Sequence, residues 1–210
     1  MLESILNLCF PRNCPICKAP SDRPDRHICS DCLNRLPTLP PEMDFPAAVA
    51  FEGYARDLIT AFKFHGQLYF LDDLVDLMEA AAIAHYDVAK IDLVIPMPAA
   101  LWHRFLRGYN QTAYLAKGLA KRIHRTCRED ILRRKGMPRQ QALLFGDERE
   151  RNVRGTFKLN PRKLGFLKSR TVLLVDDIHT TGATCKEAAK ILKSGGAKEV
   201  LILTLAKRGD

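Results

Sequence analysis

No run of about 18 apolar residues, the length a membrane helix needs, occurs anywhere in this chain. The nearest candidate, "LVDLMEAAAIAHY", is interrupted by Asp76, Glu79 and His85. The opening "MLESILNLCF" has an acid at position 3 and no basic segment, so it does not read as an export signal; the cytoplasm is the expected compartment. Internal repeats and low-complexity tracts are also missing, which excludes solenoids and disordered tails. Aromatics are thin, with a single tryptophan. Positive charge is scarce in residues 1–100, where 8 Lys and Arg face 14 Asp and Glu.

That scarcity makes the charge elsewhere informative. Residues 101–170 hold 19 cationic side chains against 5 acids and residues 171–210 hold 6 against 5, so the basic excess behind the net +9 lies in the middle third. A block of this kind is either a solvated face or a field that attracts phosphates or a nucleic-acid backbone. The aromatics within it that could stack on bases are Trp102, Phe105, Tyr109 and Tyr114, residue types that in an α/β domain also serve as core.

Five of the seven cysteines fall within Cys9–Cys32. Cys14-Pro-Ile-Cys17 and Cys29-Ser-Asp-Cys32 are two C-x-x-C pairs separated by eleven residues, a spacing at which two knuckles point four thiolates at one Zn2+. Disulfides or redox pairs are the competing readings, which a reducing compartment disfavours. Four thiolates leave no open coordination position, so the implied role is structural. Cys9, Cys127 and Cys185 read as packing residues. The proline-rich "LPTLPPEMDFP" reads as an extended connector, which places a zinc module with its linker in residues 1–45 and a second domain in 46–210.

Beyond residue 45 the pattern alternates: "AAVAFE" as strand, "YARDLITAFKFHG" and "LYFLDDLVDLMEAAAIAHY" as helices, "IDLVIPMP" as strand and "GYNQTAYLAKGLAKRIH" as helix. "SRTVLLVDD" and "EVLILTLA" are continuous apolar runs of the kind buried on both faces of a parallel sheet, with the helix "ATCKEAAKILKSGGA" between them. The order predicts an α/β fold built on a doubly wound, mainly parallel sheet.

Ligands of such sheets bind beyond the carboxyl ends of the strands. Asp176 and Asp177 sit at one such end and precede a Thr/Gly loop that opens a helix, where free N–H groups collect anions. A phosphorylated sugar reconciles the two features: the loop takes the phosphate, and the carboxylates take sugar hydroxyls or act through a divalent metal. A helix-capping turn is the plainer reading, which accounts for one Asp or Thr but not for this density.

"VLLVDDIHTTGAT" resembles the phosphoribosyl-pyrophosphate signature of type I phosphoribosyltransferases, with His179 where that signature usually has an apolar residue. The resemblance implies that Asp176 and Asp177 engage the ribose, that Thr180, Thr181, Gly182, Ala183 and Thr184 wrap the 5′-phosphate, and that Lys63 and Gly66 of "FKFHGQ" form the pyrophosphate loop. Catalysis, where it occurs, would rest on Lys63, Asp176 and Asp177, with Mg2+ bridging ligand oxygens.

"PMP…R-x-x-R-G-Y-N-Q" (within 94–120) and "Q-x-x-L…ER-x-x-N-V-x-G-x-F" (within 139–157), together with "CPIC…CSDC", resemble the ComF/ComFC (GntX-like) competence family. That family joins a four-cysteine zinc module to a phosphoribosyltransferase-like domain, the order of this whole chain. The resemblance implies a part in natural transformation. Single-stranded DNA and phosphoribosyl pyrophosphate (PRPP) or a nucleotide are the implied ligands, and a competence helicase or membrane DNA channel at the inner membrane face the implied protein partner. Arg104, Arg107, Asn110, Gln111, Gln141, Arg149 and Asn152 are the residues placed to meet nucleic acid or a base, Arg154 lies beside them, and Gly155-Thr156-Phe157 is expected to return the chain to the sheet. The alternative is an active phosphoribosyltransferase with an unknown acceptor.

Overall fold

"TVLLV" offers apolar side chains to both of its faces, so it can only be satisfied as a central strand. In the structure, a computed structural model that describes residues 12–37, 39, 43–64, 67–99, 110–135 and 155–209, it forms most of β6 (Thr171–His179). Around it a five-stranded sheet runs in the order β1-β7-β6-β2-β3, with β1 (Ala47–Ala50), β7 (Glu199–Lys207), β2 (Leu93–Pro96) and β3 (Thr126–Cys127), and every pairing is parallel. The expected doubly wound sheet is present. β6 runs two residues past its expected end at Asp177 because β7 keeps pairing with it as far as His179↔Lys207.

Alternate side chains of β6 feed two cores. Leu173 and Val175 join one face, covered by α2 (Gly53–Phe64), α3 (Leu71–His85) and α4 (Gln111–Arg122), with Phe62, Phe70, Met78 and Leu115 fully buried there. Val172 and Leu174 join the other, covered by α5 (Ala183–Ser194) and a separate antiparallel ribbon of β4 (Leu132–Arg134) and β5 (Phe157–Leu159). α3 and α4 pack closely enough to require Gly118, where an added Cβ would stand 2.5 Å from a Val75 methyl.

The ribbon corrects one expectation. Gly155-Thr156-Phe157 does not lead back into the main sheet: Phe157 opens β5 and pairs with Arg134 of β4. The place beside β2 is already taken by β3, through Leu93↔Thr126 and Val94↔Cys127. The ribbon lies instead over α5, where the Leu159 side chain comes against Gly195.

The cysteine segment, with its short helix α1 (Ser30–Asn34), docks on α3 and α4. Cys14, Ile28, Cys29 and Cys32 belong to the same buried cluster as α3. The fully buried Asp73 carboxylate accepts from the Arg23 guanidinium at 3.0 Å and from the N–H groups of His27 and Ile28 at 2.9 and 3.2 Å. Those three donors offset the cost of burying its charge. One turn on, Asp76 gathers Arg23, Arg26 and Arg122. Among the described residues no helix is long and apolar enough to cross a membrane.

Candidate functional site

The topology fixes where a ligand belongs. From β2 the chain passes through α4 to β3 on one side, and from β6 it passes through α5 to β7 on the other. The neighbours β2 and β6 therefore flank the switch point, and the crevice beyond their carboxyl ends is where sheets of this kind bind ligands. Pairing between them stops at Pro96↔Val175, with Met97 N–H bonded to the Val175 carbonyl at 2.7 Å. Among the described residues β6 goes on unpaired on that side over Asp176–His179. There Asp177 N–H donates to Asp176 Oδ1 at 2.8 Å and Ile178 N–H to Asp177 Oδ1 at 2.6 Å.

Lys63, in the last turn of α2, reaches this edge: its Nζ is 2.8 Å from Asp177 Oδ2, with both side chains mostly buried. Gln111, the buried first residue of α4, donates its side-chain amide to the Lys63 carbonyl at 2.7 Å, and Asn110 donates to the Met97 carbonyl at 3.2 Å. Two of the residues expected on the base side thus stand at the crevice, tying the ends of α2 and β2 together. Tyr114 is exposed on α4. Gly66, Arg104, Arg107, Gln141, Arg149, Asn152 and Arg154 lie outside the described residues, as do Trp102, Phe105 and Tyr109.

On the other side, Thr180 and Thr181 are exposed and Gly182 precedes α5 with φ +73°, a left-handed conformation that favours glycine. Among the described residues no side chain caps the helix at Gly182, and the contact that approaches its first donors is a long one, Ala183 N–H to Thr181 Oγ1 at 3.5 Å. Gly182 is also held from below, since a Cβ there would lie 2.6 Å from two Phe45 ring atoms. Phe45 packs on the His179 ring at 4.4 Å between centroids, and His179 Nδ1 is 2.8 Å from Thr204 Oγ1. Burial, and Lys207 nearby, push the His179 pKa down to about 4, so the ring is neutral. The residue that departs from the expected pattern is a wedge under the Thr/Gly loop.

A second centre lies in the cysteine segment. The sulfurs of Cys14, Cys17, Cys29 and Cys32 all lie within 4.8 Å of one another, and Cys17 and Cys29 are 3.7 Å apart. A tetrahedron with metal–sulfur bonds of about 2.3 Å has edges of about 3.8 Å, so the donor set and its spacing are compatible with structural zinc. Burial raises the Cys14 thiol pKa, but the N–H groups of Cys17, Cys29 and Ile16 outweigh it and bring it down to about 7.

The phosphoribosyl transferase domain model matches residues 113–210. Competence protein F of Haemophilus influenzae is 29% identical over 185 residues, 85% of this chain and 78% of that protein. DNA utilization protein YhgH of Shigella flexneri is 31% identical over 118 residues, 55% of this chain and 49% of that protein, so the alignment spans about half of the relative. The chain is thus similar to competence protein F and to phosphoribosyltransferase domains. Among solved structures, the allosteric regulatory enzyme of purine biosynthesis superposes with a TM-score of 0.44 at 18% identity, covering 65% of this chain and 26% of that one.

Two further groups that sequence reasoning missed stand beside Asp176. Arg134 sits on the inner face of β4, opposite Phe157; burial lowers its pKa while the nearby Asp176 favours the charged form. The signal was present in "ILRR", where Leu132 and Arg134 share a face if the segment is a strand, but a three-residue strand is too short to be read by period. Cys185, buried in the first turn of α5, donates its thiol to Asp176 Oδ2 at 3.5 Å; burial and that carboxylate push the thiol pKa up. Burial and the repulsion of Asp177 push the Asp176 carboxyl up to about 7. Burial and Asp177 thus disfavour the ionised form of Asp176, although Lys63 and Arg134 are nearby.

Proposed function

We propose that this chain belongs to the ComF family, handles incoming single-stranded DNA in natural transformation and holds PRPP, or a nucleotide, in the crevice beyond β2 and β6. The observation that carries the pocket is the approach of Lys63 to within 2.8 Å of Asp177, beside the left-handed Thr/Gly loop at the start of α5. A ligand that suits this arrangement is anionic at both ends and rich in hydroxyls between. Its 5′-phosphate would meet the N–H groups of Thr180, Thr181, Gly182, Ala183 and Thr184, its ribose hydroxyls Asp176 and Asp177, and its pyrophosphate Lys63 and the segment containing Gly66. Mg2+ carried in with the ligand would offset charge on its phosphates.

The DNA half of the reading is supported by the names of the relatives, competence protein F and DNA utilization protein YhgH. Its partners would be single-stranded DNA and a competence helicase or membrane DNA channel, met in the cytoplasm or at the inner membrane face. Cys14, Cys17, Cys29 and Cys32 would hold one Zn2+ that secures the N-terminal segment against α3.

An active phosphoribosyltransferase is a second reading, favoured by the contact between Lys63 and the acid pair. Lys63 would then leave Asp177 for the departing pyrophosphate, and Arg134 would add positive charge beside it.

The test is thermal unfolding with and without PRPP and Mg2+. A ligand at 100 times its Kd adds about 2.7 kcal/mol, which raises the melting temperature of a chain this long by about 5–10 °C. Asp176→Ala with Asp177→Ala should abolish the rise; no rise in the parent would sink the pocket reading. Formation of pyrophosphate from PRPP with a panel of bases separates the enzyme from the binding protein.

A further inference from the structure

The fold breaks up the basic block of the middle third. Lys117 pairs with Glu129, Arg122 with Asp76, and Arg125 donates to the carbonyls of Val88 and Ala89. Among the exposed cations that no described carboxylate pairs with are Arg133, Lys158, Arg162, Lys168 and Arg170. They lie on the β4–β5 ribbon and on the 3-10 turn (Pro161–Phe166) and short segment that continue from it.

Two features of this face ask for an external anion. Arg133 and Lys158 are direct cross-strand partners on the outer side of the ribbon, opposite the inward pairs Leu132↔Leu159 and Arg134↔Phe157. Like charges placed directly opposite each other destabilise a ribbon. The second is Phe166, an exposed aromatic ring with the Arg128 guanidinium 3.9 Å from its centroid and the charged ends of Lys163 and Arg170 at 5.9 and 6.0 Å. Asp130 neutralises part of this group, through Arg128 at 3.0 Å and Lys163 at 3.4 Å, and leaves Arg170 free of it. A ring bordered by cations next to a further row of cations is what single-stranded nucleic acid uses: a base stacks while phosphates run along the charges. An anionic membrane would call for a broad apolar face rather than one ring.

We infer that this ribbon-and-turn face, centred on Arg133, Lys158, Arg162, Phe166 and Arg170, is where the chain holds single-stranded DNA, apart from the crevice at Asp176. The inference rests on the DNA-handling reading and adds the place to it. Because Arg133 and Lys158 face away from Arg134, the strand and the crevice ligand bind together rather than in competition.

The experiment is fluorescence anisotropy of a labelled oligothymidylate against salt, with parent, Arg133→Gln/Lys158→Gln, Arg162→Gln/Arg170→Gln and Phe166→Ala proteins. Each lost phosphate contact should reduce the log–log salt slope by about 0.7. Phe166→Ala should cost about five-fold or more in affinity while leaving the slope in place. All variants should keep the parent's PRPP-induced rise in melting temperature, which reports that they are folded; the two Gln pairs carry the test if Phe166→Ala does not fold. A parent that binds DNA and Gln variants that match it in affinity and slope would overturn this surface and leave the DNA reading standing. A parent without detectable binding at low salt would overturn the DNA reading itself. Variants that lose binding to phosphatidylglycerol vesicles but keep DNA would transfer the face to a membrane and overturn the proposal, as would displacement of bound DNA by PRPP.

Discussion

Gly182→Ala tests whether the Thr/Gly loop is held from beneath by the Phe45 and His179 pair. Two costs add. At φ +73° an alanine side chain loses about 1 kcal/mol or more against the left-handed backbone. Its Cβ would also lie 2.6 Å from Phe45 Cε1 and Cζ, closer than real Cβ atoms come, and that ring is buried against His179 and has little room to retreat. Overpacking of this kind costs about 1–3 kcal/mol, so the total is about 2–4 kcal/mol. In a chain of this size that lowers the melting temperature by about 4–16 °C. The diagnostic assay is a double-mutant cycle in urea with Phe45→Leu, which clears space for the new methyl. The double variant should be more stable than the two single costs imply by about 1–2 kcal/mol. Strictly additive costs, or a Gly182→Ala protein as stable as the parent, would refute the wedge.

Removing the Asp73 carboxylate with Asp73→Ala strips three donors of their acceptor and leaves Arg23 mostly buried; urea unfolding should register a loss of about 3–5 kcal/mol, whereas Asp31→Ala, whose pair with Arg35 is exposed, should be nearly silent. Because Asp176 takes up its proton near pH 7 in the folded chain and near pH 4 when unfolded, its contribution to stability grows as pH falls through that window. Asp176→Asn should therefore be more stable than the parent at about pH 8, with the gap closing toward about pH 5; a gap that does not change with pH contradicts the raised carboxyl. Chelating zinc should lower the melting temperature and make four more thiols reactive to a thiol reagent, and an unchanged melting temperature would argue against a structural metal.

The parts of the fold that the sequence announced are those whose reasons are local. "TVLLV" has to be a buried strand, the acid pair has to follow it, and two C-x-x-C pairs have to share a metal or oxidise. What stayed hidden depends on partners far away in the chain. β3 and the ribbon strands are only two or three residues long, below the reach of any period, and exist because β2 has a vacant edge and α5 a face to cover. Asp73 reads as one more acid on an amphipathic helix until the cysteine segment, some 45 residues earlier, presents its N–H groups to it. Nor does the sequence show that the Gln111 amide holds the Lys63 carbonyl across 48 positions of sequence. His179, an oddity in the pattern, makes sense only once Phe45 and Thr204 are seen around it.

The central claim is that Lys63, the Asp176–Asp177 pair and the loop ahead of α5 form one sugar-phosphate site. Isothermal titration of PRPP with Mg2+ into the zinc-loaded protein addresses it most directly. The account predicts one binding event per chain, lost in Asp176→Asn/Asp177→Asn and weakened in Lys63→Ala, and unaltered in Arg133→Gln/Lys158→Gln. No heat of binding in the parent at any temperature tried, or binding that survives the loss of both carboxylates, would contradict it.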